Sequence, residues 1–157
     1  MTSPLYVDIE NGAEVPSLTL GVKSTQIIAG ALASRDYSPL HHDKTYVMEE
    51  AGHPEIFLNT PHQAALFERL LYDWLGPRAR IGRMRFQMKA SVYAGATVEL
   101  SGAVIDKRSD TSGCCWLDLD LSLCVDGKAA TQCRASIAIP VSEEDDLWRR
   151  ADQEWQP

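Results

Sequence analysis

Two residue types that can move protons stand five apart in the stretch ASRDYSPLHHDKTY, residues 33 to 46: Asp36 and His41. A carboxylate and a neutral imidazole brought to one point can hold a water, accept a proton from it and deliver one nearby. Pro39 lies between them and disfavours helical backbone at Ser38, so the pair is expected on a loop. His42 follows directly and is expected to face solvent. A metal site at His41, His42 and Asp43 is not expected, because adjacent histidines rarely converge on one ion and no further ligand cluster is visible. The four cysteines, Cys114, Cys115, Cys124 and Cys133, form no C-x-x-C pair. They are expected to be buried or half-buried thiols in a reducing cytoplasm. No Gly-rich phosphate loop and no nicotinamide or flavin fingerprint appears, so no cofactor is expected.

Something must position that loop. The chain has 157 residues, enough for one domain with one core. Its formal charge of -7 makes a nucleic acid an unfavourable partner. No apolar run approaches the roughly 18 to 20 residues that span a bilayer, and no basic-then-apolar leader is visible. Cytoplasmic location, without membrane attachment, is the expectation.

Along the chain, residues 1 to 16 read as an irregular lead-in and residues 18 to 24 as a first strand. TQIIAGALASRD reads as a helix with Thr25 as its cap, ending before Ser38. A short helix over DKTYVMEEAG is expected, capped by Asp43 and stopped by Gly52. Residues 61 to 77, PHQAALFERLLYDWLGP, combine a first-turn proline, a cap at Thr60 and a Gly-Pro stop. The apolar surface of this helix is too wide for one stripe, so the helix should be buried.

Strand patterns follow. Met84, Phe86 and Met88 alternate with Arg83, Arg85, Gln87 and Lys89. TVELSGAVID, 97 to 106, is a further strand. Leu117, Leu119, Leu121 and Leu123 share one face of the next, with Trp116, Asp118, Asp120 and Ser122 on the other. Asp126-Gly127 is a hairpin turn, and the returning strand puts Thr131, Cys133, Ala135, Ile137 and Ile139 on one face. One buried helix and a long sheet with one dry face imply an α+β fold, a single hot-dog domain in which a curved antiparallel sheet wraps the helix. That domain should cover 17 to 141, followed by an acidic tail over 142 to 157 with a short surface helix capped by Ser142. Arg83, Arg85 and Lys89 form an outer basic ladder, either a solvated face or a contact for ligand phosphates.

RDYSPLHHD resembles the hydratase motif of the MaoC-like family of (R)-specific enoyl-CoA hydratases, Gly-Asp-x-Asn-Pro-Leu/Ile-His-x-Asp. Asp36, Pro39, Leu40, His41 and Asp43 match it, while Arg35 replaces the Gly and Ser38 the Asn. Arg85-Phe86 and VYAG, 92 to 95, look like the family's strand motif. The doubled His41-His42, IFLN at 56 to 59 and DWLGP at 73 to 77 look like one branch. That branch is the small single-hot-dog subunit of bacterial enoyl-CoA hydratases acting on steroid side chains, which works beside a related chain.

The resemblance implies a lyase of lipid metabolism and steroid degradation. It would hydrate a 2-enoyl-CoA thioester to the 3-hydroxyacyl-CoA, or run the reverse dehydration. Asp36 and His41 would handle the water, and the sequence leaves open which group makes each proton transfer. The thioester oxygen gathers charge that a helix N-terminus can stabilise. Pro61 has no N–H, so Thr60 or His62 must supply the donor, and the resemblance points to Thr60. Asn59-Thr60 depart from the Pro-Gly that the family often has there, and Asn59, Thr60 and His62 are the residues expected at the oxyanion and substrate. The expected assembly is a homodimer or a heteromer with a related hot-dog chain. Two other readings are an acyl-thioester hydrolase on the same fold and a partner subunit of a catalytic chain.

The motif gives an ordered expectation. Asp36→Asn and His41→Ala should each leave folding intact and lower hydratase turnover by at least about two decades. His42→Ala should cost far less, and an equal loss at His42 would refute the pairing.

Overall fold

Leucines at every second position of CWLDLDLSLCV need an apolar partner on one side only, and that requirement organises the chain. In the computed structural model, which describes residues 3 to 157, this segment is the middle strand of a five-stranded antiparallel sheet. The strands are β1 (Glu14–Gly21), β2 (Arg80–Met88), β3 (Thr97–Ser109), β4 (Cys115–Val125) and β5 (Lys128–Ala138), in the order β1-β3-β4-β5-β2. Leu117, Leu119, Leu121 and Leu123 of β4 are fully buried, as are Val98 and Leu100 of β3 and Cys133 and Ile137 of β5. Each such aliphatic side chain contributes about 1.5–3 kcal/mol on burial. The register shifts between Val15 and Leu18, Ile81 and Arg83, Val104 and Asp106, and Leu123 and Cys124. Such irregularities bend and twist the strands, which lets the sheet curve.

The concave side holds α3 (Thr60–Leu75), whose Leu66, Phe67, Leu70, Leu71 and Leu75 enter the core. One flank, with Pro61, Ala65, Glu68, Arg69 and Asp73, stays exposed, so the wrap is one-sided. Asn59, not Thr60, is the cap: its Oδ1 accepts from His62 N at 3.1 Å, while the Thr60 hydroxyl contacts Met88 Sδ at 3.3 Å. Gly76 ends the helix at φ 76°, the left-handed region that suits glycine. A buried polar bridge ties helix to sheet, with Thr131 Oγ1 donating to Gln63 Oε1 at 2.6 Å.

Two smaller helices, α1 (Ser24–Ala33) and α2 (Lys44–Glu49), flank the loop that carries Asp36 and His41. α1 starts one residue before the expected cap: Lys23 is the cap, and its N–H donates to Gln26 Oε1. α2 is capped by Asp43, as the sequence indicated. β1 begins at Glu14, four residues early, and runs through Pro16. A proline is tolerated there because β1 is an edge strand and Pro16 falls at its register shift. The Asp126-Gly127 turn has φ 49° and 73°, the doubly left-handed geometry that closes two-residue hairpins. No described helix is long and apolar enough to cross a membrane.

The tail departs from expectation. Instead of a surface helix capped by Ser142, residues 142 to 157 make two single 3-10 turns, Leu147–Arg149 and Asp152–Glu154. They fold back on the outer face of the sheet. Leu147 is buried beside Trp116, Cys114 and Ala138, and the Trp155 ring lies 4.9 Å from that of Trp116. The Arg80 guanidinium sits 3.8 Å from the Trp155 ring centre and donates to the carbonyls of Leu147 and Arg150. Gly82 makes room, since a Cβ there would lie 2.5 Å from the Trp116 ring. The alternation of β4 marks Trp116 as outward, and only the returning tail makes that position dry.

Trp116→Ala should therefore cost about 3–5 kcal/mol in urea denaturation, the scale of a large core truncation. A loss under about 1 kcal/mol, the scale of surface substitutions, would show that the tail does not form a second core.

Candidate active site

α1 must stop sharply for Asp36 to face inward. It does so with Ser34 N–H donating to Gly30 O and Asp36 N–H donating to Ala31 O, around Arg35 at φ 55°. That left-handed position suits glycine, and a side chain there costs about 1–2 kcal/mol. The Gly-to-Arg departure in the motif thus falls on a backbone conformation that favours Gly. Pro39–His41 then form a single 3-10 turn, with Asp43 N–H donating to Pro39 O. The turn buries His41, leaves His42 exposed and hands the chain to the Asp43 cap of α2.

His41 is held by a carbonyl. Its Nδ1 lies 2.7 Å from Phe57 O, and since a carbonyl only accepts, Nδ1 carries a proton. The Phe57 strip is itself fixed, by Leu58 N–H to Val92 O and Ala94 N–H to Ile56 O. Phe57 also meets the His41 ring edge-on at 5.3 Å. Nε2, the other ring nitrogen, points at Asp36 Oδ2, 3.3 Å away. The His41 side chain is 8 % exposed and that of Asp36 31 %, so the pair reaches solvent through the carboxylate.

The carboxylate is held from two sides. Asn59 Nδ2 donates to Asp36 Oδ2 at 3.0 Å, and Ser38 N–H donates to Oδ1 at 3.3 Å. The Asn59 bond is the main reason the Asp36 carboxyl is held below the usual carboxylate range, with partial burial opposing and Ser38, His41 and His42 adding. Asn59 Nδ2 also donates to Ser34 Oγ at 2.8 Å.

At the start of α3 the two candidate donors differ. The His62 N–H is committed to Asn59 Oδ1. The Thr60 N–H, at the first helical position, has no acceptor among the described residues. The His62 ring packs against Gly30 with Nδ1 buried and without a partner among the described residues, and burial lowers its pKa. His53 is occupied by the Tyr93 hydroxyl at 3.0 Å. The basic ladder divides. Arg83 and Arg85 line a groove on the outer face with Asp106, Asp118 and Arg134, and Arg83 donates to Pro157 O. Lys89 lies elsewhere, in a hollow with Phe57, Leu58, Gln63, Met88 and Ser91. Among the described residues no group of three or more His, Cys, Asp or Glu could hold a metal ion.

The fold thus gathers Asp36, His41, Asn59 and the first turn of α3. Sequence reasoning missed Ser34, the Ser38 N–H and the Phe57 carbonyl. Only Ser34 had a side-chain signal, a hydroxyl in the last turn of a helix beside the motif. The two backbone groups leave no trace in residue identity.

Comparisons with known proteins agree with this fold. No family model matches the chain. The 3-oxo-4,17-pregnadiene-20-carboxyl-CoA hydratase beta subunit of Mycobacterium tuberculosis is 37% identical over 93 residues, which is 59% of this chain and 71% of that protein. The ChsH1-ChsH2 complex from the same organism matches with TM-score 0.75 and 27% identity over 83% of this chain and 98% of the other. In fold, the chain is also similar to the (R)-hydratase from A. caviae involved in PHA biosynthesis. That match has TM-score 0.72 and 24% identity, over 84% of this chain and 98% of the other.

The lowered Asp36 pKa fixes a sign. Ionised Asp36 contributes stability in full above the pKa of an unfolded carboxyl, and that contribution disappears as pH falls through the lower folded value. Asp36→Asn should therefore lose less stability than wild type between about pH 7 and about pH 3. Denaturation midpoints at the two pH values check this, and equal losses would contradict it.

Proposed function

The chain belongs to the MaoC-like hydratase family, in the branch of the 3-oxo-4,17-pregnadiene-20-carboxyl-CoA hydratase beta subunit, and on that premise we propose that it hydrates a 2-enoyl-CoA thioester or dehydrates the 3-hydroxyacyl product. The observation that carries the proposal is the meeting of His41 Nε2 and Asp36 Oδ2 at one point. His41 keeps a proton on Nδ1 for Phe57, and its Nε2 stands 3.3 Å from Asp36 Oδ2, where the neutral form of the ring, the form that can accept a proton, offers a lone pair beside the carboxylate. With the ring in that form, two neighbouring acceptors are best satisfied by a water donating one O–H to each. The lone pairs of that water are then free for the β-carbon.

In hydration the water oxygen bonds to the β-carbon as one O–H passes its proton to the pair. The electrons of the C=C bond move toward the thioester oxygen, and the α-carbon gains a proton. No oxidation or reduction occurs overall, so the reaction itself requires no redox cofactor. The uncommitted Thr60 N–H at the start of α3 is the donor for the charged oxygen, an interaction worth roughly two to three decades in rate. Of the basic residues, Lys89 is suited to the CoA phosphates, because its hollow shares Phe57 with His41. Arg83 and Arg85 act as solvated outer charges.

A bulky steroid side-chain acyl group is the proposed substrate class, on the likeness to the pregnadiene-carboxyl-CoA hydratase subunit. Assembly with a related hot-dog chain is proposed on the likeness to a two-component complex. A second reading, a partner subunit without its own chemistry, is favoured by the words "beta subunit" in the relative's name. The intact Asp36, His41 and Asn59 geometry favours the catalytic reading.

The chain should be purified alone and with a co-expressed related chain, and each sample given enoyl-CoA substrates. Hydration that Asp36→Asn abolishes is the expected result. Hydration that survives it in the two-chain sample would assign the chemistry to the partner. Release of free CoA in place of hydration would make the chain a thioesterase.

A further inference from the structure

The geometry points to Asn59 as a positioning residue: its side-chain amide locks the Asp36 carboxylate to the first turn of α3, so that the proton-transfer group and the oxyanion donor hold one relative placement. The catalytic consequence rests on the hydratase reading above; the lock itself does not.

Asn59 is 4 % exposed and its amide has three committed bonds. Nδ2 donates to Asp36 Oδ2 at 3.0 Å and to Ser34 Oγ at 2.8 Å, and Oδ1 accepts from His62 N at 3.1 Å. The orientation of the amide is fixed by chemistry. A carboxylate only accepts and a backbone N–H only donates, so a flipped amide would oppose both ends at once. Ser34 is anchored in turn, its hydroxyl donating to Gly30 O at 2.8 Å in the last turn of α1. The oxygen that Asn59 holds is the same Oδ2 that faces His41 Nε2. One N–H on that oxygen leaves its remaining lone pair for the water. Ser38, in the place where the motif carries Asn, offers Asp36 only its backbone N–H, at 3.3 Å. The amide that reaches the carboxylate comes from 23 residues downstream.

The groups facing Asp36 are few. The 3-10 turn presents His41, with His42 beyond it. α1 and α3 present Ser34 and Asn59, which do not titrate. His62, on α3 beside Gly30 of α1, is disfavoured from charging by its burial. A change at Asn59 is therefore read cleanly in the titration of Asp36.

Asn59 has a second task, the cap, and the test must separate the two. Asp and Ser both cap helices about as well as Asn, but neither offers the amide N–H. In Asn59→Asp and Asn59→Ser the helix cap survives while the donor to Asp36 is lost. The Asp36 carboxyl is titrated by carbon-13 NMR in the full chain, and kcat and KM are followed against pH in the active assembly. The expected result is an upward movement of the Asp36 midpoint in both variants, larger in Asn59→Asp, where a second carboxylate stands beside it. The kcat should fall about tenfold or more, with the acid limb of its profile moving upward and KM little changed. An unmoved Asp36 midpoint in both variants overturns the proposal, and so does a moved midpoint with wild-type kcat. Moved midpoints in both variants, together with a wild-type chain that hydrates no enoyl thioester, sink the hydratase reading and leave the lock standing.

Discussion

One buried amide holds the site together. Asn59 closes the end of α3 and restrains the carboxylate that faces His41, with a single side chain in three hydrogen bonds. Burial makes this binding, because a buried donor or acceptor left without a partner costs about 1–3 kcal/mol. The arrangement constrains its neighbours. α1 must end where Ser34 can accept, Arg35 must turn left-handed to bring Asp36 inward, and the first turn of α3 must stand beside both.

That first turn can serve as a fixed point because the rest of α3 cannot move. Its apolar face fills the curve of the sheet, and the Gln63 and Thr131 bridge fixes it along its axis and about it. A buried polar pair of this kind is satisfied in one arrangement only, which selects a register that aliphatic packing alone would leave loose. The irregularities in every strand pair give the sheet its curve, and the 3-10 turn and the Phe57 strip lay His41 across the start of the helix. The scaffold has a dry core and the reactive loop is short, which keeps His41 Nε2 and Asp36 Oδ2 near each other.

The outer face follows different physics. Arg108 with Asp118 and Arg134 with Asp120 pair across strands in partial exposure, where such contacts add little stability. The dry part of this face is made by the returning tail, with Trp155 packed against Trp116 and under the Arg80 guanidinium. The sheet keeps two edges, β1 and β2, with unpaired backbone groups among the described residues. Open edges invite pairing with another chain, in keeping with the proposed assembly with a related subunit.

Residue order alone determined the elements whose signals are local. The alternation in β4 and β5, the Asp-Gly hairpin, the Asp43 cap and the wide apolar surface of α3 each state their structure within a few residues. The hot-dog architecture follows, since one dry sheet face and one apolar helix can satisfy each other only by wrapping. Asp36 and His41 were legible for the same reason, as a short motif with a proline between them. Tertiary structure decided what depends on partners distant in the chain. Ser34, Asp36 and Asn59 come from separate elements, and the groups that hold His41 and Asp36 include a carbonyl and an N–H that every residue carries. The cap is Asn59 and not Thr60: the Asn59 Oδ1 takes the His62 N–H, while the Thr60 hydroxyl meets Met88, 28 residues away. The ladder of Arg83, Arg85 and Lys89 divided because the strand ends before Lys89, so a pattern that is regular in sequence loses its common face. Trp116 is outward by alternation and buried by the tail. Local spacing assigns a side chain to a face, and only the packed chain determines what covers that face.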